Sequence, residues 1–381
     1  MNRKHQDTLN RAFEVDTSRL DISPTMFQEA TDHYRAITGL LCSHGLEADI
    51  MPYGSFGTGT VVRPSTPEGT GSFYDLDVLC VCSGIDISGT TQESLRERVD
   101  GTIEDDGRYA SKVEESKHMC LTLSYAESES RPAFKMDLST GLSSPKPHME
   151  GKSHTEESVE LAWIKPDEWK ASNPKGLCQW FNDENLRFRA FGFAERKRRI
   201  FEKHRGFYAS VEKVPDDMDR SALQRAVQVI KRSRDVFFAR AKRPDDAPSS
   251  CVLMVLVATF AKSLPASADI VTILDSFVEG CLAMRETSGT TRIEVPNPAF
   301  DEDLAADWSP KRVEDFFLWV EDLAENTSAD YGDLASRNAA YDAIMGKGSS
   351  LGLEDGDVFA PAAPTAIIDR PVRPWRPLVW K

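Results

Sequence analysis

The 381-residue sequence holds seven cysteines and seven histidines, yet it has no Cys-x-x-Cys pair and no His-x-x-x-His pair. No cysteine stands near a histidine at zinc-finger spacing, so a zinc ribbon or finger is excluded. The cysteines (Cys42, Cys80, Cys82, Cys120, Cys178, Cys251 and Cys281) are odd in number and sit mostly in apolar runs, as reduced, buried thiols do. No apolar run is long enough to span a bilayer, because the longest reaches only from Cys251 to Ala261. The first residues, Met1-Asn-Arg-Lys-His-Gln-Asp, have no apolar stretch behind their charges, so neither a signal peptide nor a membrane partner is expected and the cytoplasm is the expected location. Basic residues are in deficit, with 46 Lys and Arg against 61 Asp and Glu, a formal net charge of −15. That balance argues against a protein held to duplex nucleic acid by neutralised phosphates, and no nucleic-acid activator is expected. Small anionic ligands stay open, since a metal ion or a few lysines reverse the field locally. No internal repeat is present.

A hydrophobic content of 40% with 9% aromatics excludes global disorder. At about 150 residues per domain, the length suggests two domains or three. Ser23-Pro24 reads as the start of a helix carrying Met26, Phe27, Ala30, Tyr34, Ile37 and Leu41 and ending near Gly45. An extended stretch over Ala48 to Tyr53, a Gly/Ser/Thr turn over Gly54 to Thr60 and a loop over Pro64 to Ser72 follow. Strands are predicted at Phe73 to Cys82, Met119 to Tyr125, Ala133 to Leu138 and Val159 to Ile164. After about Pro174 the pattern becomes helical: Ser221 to Ala241, an apolar core helix at Ser250 to Lys262, Ile270 to Met284, a helix opened by Ser309-Pro310, and Tyr331 to Met345. Strands first and helices afterwards indicate an α+β unit followed by a helical one. The expected division is a core over 1–173, a helical lobe over 174–345 and a Pro-rich tail over 346–381.

The chemistry is concentrated in Gly54-Ser55-Phe56-Gly57-Thr58-Gly59-Thr60, followed by Tyr74-Asp75-Leu76-Asp77-Val78. On a strand Asp75 and Asp77 project from one face about 7 Å apart, while Leu76, Val78, Cys80 and Cys82 line the other. Two carboxylates at that spacing repel unless a cation lies between them, and phosphoryl transfer is the chemistry that uses paired divalent cations. Asp137 offers a third carboxylate, because Phe134, Met136 and Leu138 take the core face of its strand. A D-x-D strand alone, or a Gly-Ser turn alone, is an ordinary structural feature; together they offer N–H groups to a phosphate and carboxylates to its metals. Other candidates carry less. Gly346-Lys347-Gly348-Ser349 has no strand before it, Gly57-Thr58-Gly59 lacks the third glycine of a dinucleotide fingerprint, Glu127 and Glu129 read as loop residues, and Arg196-Lys197-Arg198-Arg199 reads as a solvated helix face.

These residues resemble the CD-NTases, bacterial relatives of cyclic GMP–AMP synthase and oligoadenylate synthase. The resemblance runs from about Met51 to Met345. It rests on Gly54 to Pro64 with Asp-Leu-Asp-Val (Asp75 to Val78), Asp137 in Lys-Met-Asp-Leu, and the W-K-A-S-N-P-K-G-L-C-Q-W-F segment (Trp169 to Phe181). Leu223 to Asp235 with Pro248-Ser249-Ser250, and Val295-Pro296-Asn297-Pro298 with Trp308, complete it. Two positions depart from the family pattern: Tyr53 stands where many members have Gln, and Leu138-Ser-Thr-Gly replaces a V-V-P-A-like run.

The resemblance implies a bilobed, polymerase-beta-like nucleotidyltransferase with a mixed sheet and a C-terminal helical lobe. Gly54 and Ser55 would hold a donor nucleoside triphosphate, and Asp75, Asp77 and Asp137 would be catalytic and hold two Mg²⁺ ions, with Mn²⁺ as a substitute. Lys231 would reach the triphosphate, as would Ser250, which could equally be an N-cap. The product would be a cyclic oligonucleotide second messenger of anti-phage (CBASS) immunity, made with release of pyrophosphate. The Pro-rich tail would be the contact for a regulatory protein partner. The alternatives are a linear transferase acting on RNA or another acceptor, and a catalytically dead nucleotide-sensing protein.

Overall fold

The computed structural model describes residues 3–22, 24–62, 74–114, 119–125, 134–164, 168–192, 196, 198–199, 202, 219–288, 291–328 and 334–346. The Ser23 cap, the Pro64–Ser72 loop, Glu127 and Glu129, and the tail beyond Gly346 lie outside the described residues.

Helices α1 (Arg3–Leu20) and α2 (Pro24–Ser43) lead into strand β1 (Ala48–Pro52), the one-turn helix α3 (Gly54–Gly57) and strand β2 (Tyr74–Cys82). Helix α4 (Gln92–Glu104) precedes strands β3 (Leu121–Tyr125), β4 (Phe134–Ser143), β5 (Val159–Trp163) and β6 (Glu168–Ser172). The helices α5 (Pro174–Ala190), α6 (Ala222–Arg240), α7 (Ser250–Phe260), α8 (Ile270–Ser288), α9 (Pro310–Ser328) and α10 (Leu334–Met345) follow. The sequence pattern missed α1, α4, β6 and α5. It also ran the apolar helix too far: α7 stops at Phe260 and a 3-10 turn takes Ala261–Ser263.

The six strands form one mixed sheet in the order β1-β2-β4-β5-β6, with β3 also on β4. β2 and β4 run parallel; β1 on β2, and β3 and β5 on β4, are antiparallel. One face of the sheet buries Leu76, Val78, Cys80, Met136 and Leu138 against Tyr34, Ile37 and Leu41 of α2 and Leu95, Val99 and Ile103 of α4. β2 thereby places Asp75 and Asp77 on the face turned away from α2 and α4.

A second, larger core joins the helices, centred on Val227 and Ile230 of α6, Val252 to Ala258 of α7, and Phe316 and Trp319 of α9. Helix α1 packs here through Leu9 and Phe13, so the first helix of the chain belongs with the last ones. The two halves are knotted by Asn173. Its side-chain oxygen caps α5 by accepting from Gly176 N, while its amide nitrogen donates to His154 O and Ala299 O. The S-N-P and V-P-N-P motifs therefore meet in space. In the run Arg196 to Arg199, Arg196 grips the buried Asp219, while Arg198 and Arg199 stay half-exposed on the surface, paired with Glu202 and with Glu14 of α1; Lys197 lies outside the described residues.

Candidate active site

The Gly-Ser turn is a single helical turn leaning on β2. Tyr53 N donates to Asp77 O at 2.9 Å, and Thr58 closes α3 by donating from N and from Oγ1 to Gly54 O. Gly54 has φ +58, and a Cβ there would lie 2.4 Å from Asp77 Oδ2, so only glycine fits this close to the carboxylate.

The parallel β2–β4 pairing sets Asp77 directly opposite Asp137 and Asp75 opposite Lys135. Thr122 on β3 donates from Oγ1 to Asp137 Oδ1 at 2.5 Å, and Lys135 is paired with Glu114 at 2.8 Å. Burial, then the charges of Asp137 and Asp75, push the Asp77 carboxyl up to about 6; Lys231 offsets this in part. Asp75 is exposed; it also touches a cavity of about 420 Å³ on the α2 side of the sheet, walled by His33, Phe56, Tyr74, Tyr125 and Phe134, to which Asp77, Asp137 and Lys231 do not contribute. Among the described residues no three His, Cys, Asp or Glu side chains form a ready-made metal cage. The donor set is a carboxylate pair in register with a third carboxylate one pleat away. That suits a hard cation that completes its shell with water and phosphate oxygens, as Mg²⁺ does.

Lys231 comes to this site from α6. It is 5% exposed and donates from Nζ to Thr60 O at 3.0 Å. Burial and the nearby Arg234 bring its ammonium down to about 8, against the pull of Asp235, Asp77 and Asp75. A buried ammonium under the influence of both β2 carboxylates is not a solvated helix charge. Ser250 is the first residue of α7, and its hydroxyl accepts from Arg234 Nη1 at 3.2 Å. The N-cap reading of Ser250 is corrected: Ser249 is the cap, its Oγ accepting from Val252 N. Next to Ser250, burial lifts the Cys251 thiol to about 12, with Glu302 and Asp77 adding to the effect, so the start of α7 lies near the carboxylates. Cys178 of α5 is likewise raised to about 12 by burial, offset by a backbone hydrogen bond from Gly54.

The structure thus brings Gly54, Asp77, Asp137 and Lys231 together, leaves Asp75 exposed on the same strand, and ties Ser250 to Arg234. Sequence reasoning missed Thr122, which holds Asp137, and the amides of Gln224 and Gln228, which hold the chain after α3. Ser221-x-x-Gln224 is a capping-box signature and could have marked the first of these. Tyr53 and Ser139, which belong to the two departures noted in the sequence, bond to each other through their hydroxyls at 3.2 Å; burial and Asp77 raise the Tyr53 phenol well above the usual range.

No family model matches the chain. A c-di-GMP synthase of Roseivirga ehrenbergii is 26% identical over 334 residues, covering 84% of this chain and 77% of that relative. The structure of the Bradyrhizobium diazoefficiens CD-NTase CdnG in complex with GTP matches with a TM-score of 0.66 at 19% identity, over 89% of this chain and 96% of that one. An E. coli MS115-1 CdnC:HORMA-deltaN complex matches with a TM-score of 0.59 at 12% identity, over 90% and 98%. The fold is that of the CD-NTases, as the motif resemblance implied, and the α+β class with a helical C-terminal region is borne out.

Proposed function

We propose that this chain is a nucleotidyltransferase that joins nucleoside triphosphates into a cyclic oligonucleotide and releases pyrophosphate. The observation that carries this reading is the in-register pair Asp77 and Asp137, with the Gly54 turn packed against Asp77 and the buried Lys231 under the influence of the β2 carboxylates. The 26% identity to a c-di-GMP synthase over most of both chains supports the cyclic product.

In this reading the turn of Gly54 and Ser55 takes the donor phosphates, with the N–H and hydroxyl of Ser55 as donors. Lys231 has two ammonium hydrogens beyond the one given to Thr60, and it neutralises phosphate charge. Asp75, Asp77 and Asp137 would hold two divalent cations, magnesium or manganese. When bound, these ions ease deprotonation of an attacking ribose hydroxyl and stabilise charge on the departing pyrophosphate. Asp137 is kept in place by Thr122, and Asp77 by the strand itself. Ser250 adds a hydroxyl from the start of α7. The core over 1–173 supplies the carboxylates and the lobe over 174–345 supplies Lys231, with α1 strapped across to the lobe.

The product would act as a second messenger of anti-phage CBASS signalling in the cytoplasm. No described helix is long and apolar enough to cross a membrane. A regulatory protein partner would engage the tail over 346–381; a structural neighbour, CdnC, is seen in complex with another protein, HORMA-deltaN. The test is incubation with labelled ATP, GTP, CTP and UTP plus Mg²⁺. A phosphatase-resistant product with stoichiometric pyrophosphate is expected. A phosphatase-sensitive oligomer would mean a linear transferase, and no product would mean a binding protein.

A further inference from the structure

The segment Thr58–Val61 follows the phosphate turn and belongs to no strand, yet Thr58, Thr60 and Val61 are buried. Its carbonyls therefore need partners, since a buried acceptor left unpaired costs about 1–3 kcal/mol. Three of these carbonyls accept from side chains on one face of α6. Gln224 Nε2 donates to Thr58 O at 2.8 Å, Gln228 Nε2 to Val61 O at 2.7 Å, and Lys231 Nζ to Thr60 O at 3.0 Å. Positions 224, 228 and 231 share a helix face at i, i+4 and i+7. All three side chains are nearly inaccessible, at 4%, 0% and 5% exposure.

Each glutamine is itself fixed. Gln224 Oε1 accepts from Ser221 N within the capping box. Gln228 also donates to Asp21 Oδ1 and accepts from Arg225 Nη1. Two neutral amides at these places hold the segment without adding charge beside the carboxylates.

We infer that Gln224 and Gln228 are positioning residues that latch the segment Thr58–Val61 to α6, and so fix the Gly54–Ser55 turn at a set distance from Lys231 before any nucleotide arrives. This rests on the proposed reading of Lys231 and the turn as a triphosphate grip. The latch relieves Lys231 of holding the segment alone, so its ammonium can turn toward a phosphate while the carbonyl row stays in place. The two parts of the grip lie on different halves of the molecule, and pre-organisation of that kind is expressed as affinity.

The test uses the full chain with Gln224→Met and Gln228→Met, which keep length and apolar bulk but remove the donor. Calorimetric titration with inorganic tripolyphosphate and with ATP and GTP, well below the melting temperature, reads the grip; circular dichroism and melting read the fold. The expected result is a native spectrum with Kd for tripolyphosphate raised about tenfold in Gln228→Met and somewhat less in Gln224→Met. The double variant Gln228→Met/Lys231→Ala is expected to lose little beyond Lys231→Ala, because the amide acts through the lysine. If both single variants bind tripolyphosphate within twofold of wild type while melting lower, the amides serve packing only and the inference is overturned. A wild-type protein that binds none of these probes overturns the functional reading, and the latch with it. If Gln228→Met does not fold, Gln224→Met decides on the same criterion.

Discussion

The two cores of the molecule use burial differently. Along β2 exposure alternates: Leu76, Val78 and Cys80 are sealed, while Asp75 is exposed and Asp77 half-buried. Along α7 every residue from Val252 to Ala258 is 5% exposed or less. A strand with one covered face gives its other face to a site, whereas a helix wrapped by apolar neighbours gives only its first turn. The helical half therefore reaches the site through α6, which is apolar on the side of Val227 and Ile230 and carries Gln224, Gln228 and Lys231 buried on another. The sheet half supplies clustered negative charge, and the helical half supplies donors and one ammonium.

The sharpest way to break that comparison is to remove charge from the sheet. Asp77→Asn keeps the shape and is expected to cut turnover at least about a thousandfold, roughly 4 kcal/mol of transition-state stabilisation. Pyrophosphate release reads the loss. Stability should move the other way. Asp77 titrates near 6 in the fold, above its usual value of 3.8, so the native state favours the proton; its contribution to stability is present at low pH and lost as pH rises through 6. The Asn variant should therefore melt like wild type near pH 4 and gain about 1–2 kcal/mol by pH 7, as melting curves across that range would show.

Gly54→Ala tests the seam between the turn and the carboxylate. The substitution adds a Cβ 2.4 Å from Asp77 Oδ2 at φ +58. A left-handed non-glycine residue costs about 1–2 kcal/mol, and the displaced carboxylate should bring the drop in turnover to about a hundredfold. The same assay with a melting curve separates the two effects.

On the helical side, neighbouring cations should behave unlike each other. Lys231→Ala should raise the nucleotide Kd about tenfold or more. Arg232→Ala, which removes a buried guanidinium held toward Asp235 and Asp16, should lower the melting temperature and leave Kd within about twofold. Equal effects on Kd would erase the distinction between a gripping face and a structural one. The smallest effect concerns nucleic acid. With a net charge of −15, nuclease-treated protein should keep its rate, and added DNA or RNA should change it less than about threefold, roughly 0.7 kcal/mol.

The sheet half of the site was legible because period-2 alternation assigns faces without knowledge of the fold. Leu76, Val78, Met136 and Leu138 settled where Asp75, Asp77 and Asp137 would point, and only the parallel β2–β4 register had to be supplied by structure. Elements without that contrast were not legible. β6 reads Glu-Trp-Lys-Ala-Ser, is mostly half-buried, and is defined by pairing with β5 alone. α4 shows its Thr91 cap and Leu95, Val99 and Ile103 at i, i+4, i+8, a real signal outweighed by the polar residues between them. α1 carries so much charge that its apolar stripe of Leu9, Ala12 and Phe13 makes sense only once α6 and α8 lie beneath it. The glutamines of α6 are the instructive case. An amide looks the same in sequence whether it faces water or a buried carbonyl, and Ser249 rather than Ser250 capping α7 is the same ambiguity one residue apart.

The division of labour between the halves is tested most directly by measuring nucleotide binding without metal and pyrophosphate release with Mg²⁺ on Asp77→Asn, Asp137→Asn and Lys231→Ala side by side. The two Asn variants are expected to bind nucleoside triphosphate at least as tightly as wild type while releasing essentially no pyrophosphate, and Lys231→Ala to bind weakly. Near-normal pyrophosphate release by Asp77→Asn, or undiminished binding by Lys231→Ala, would contradict that division.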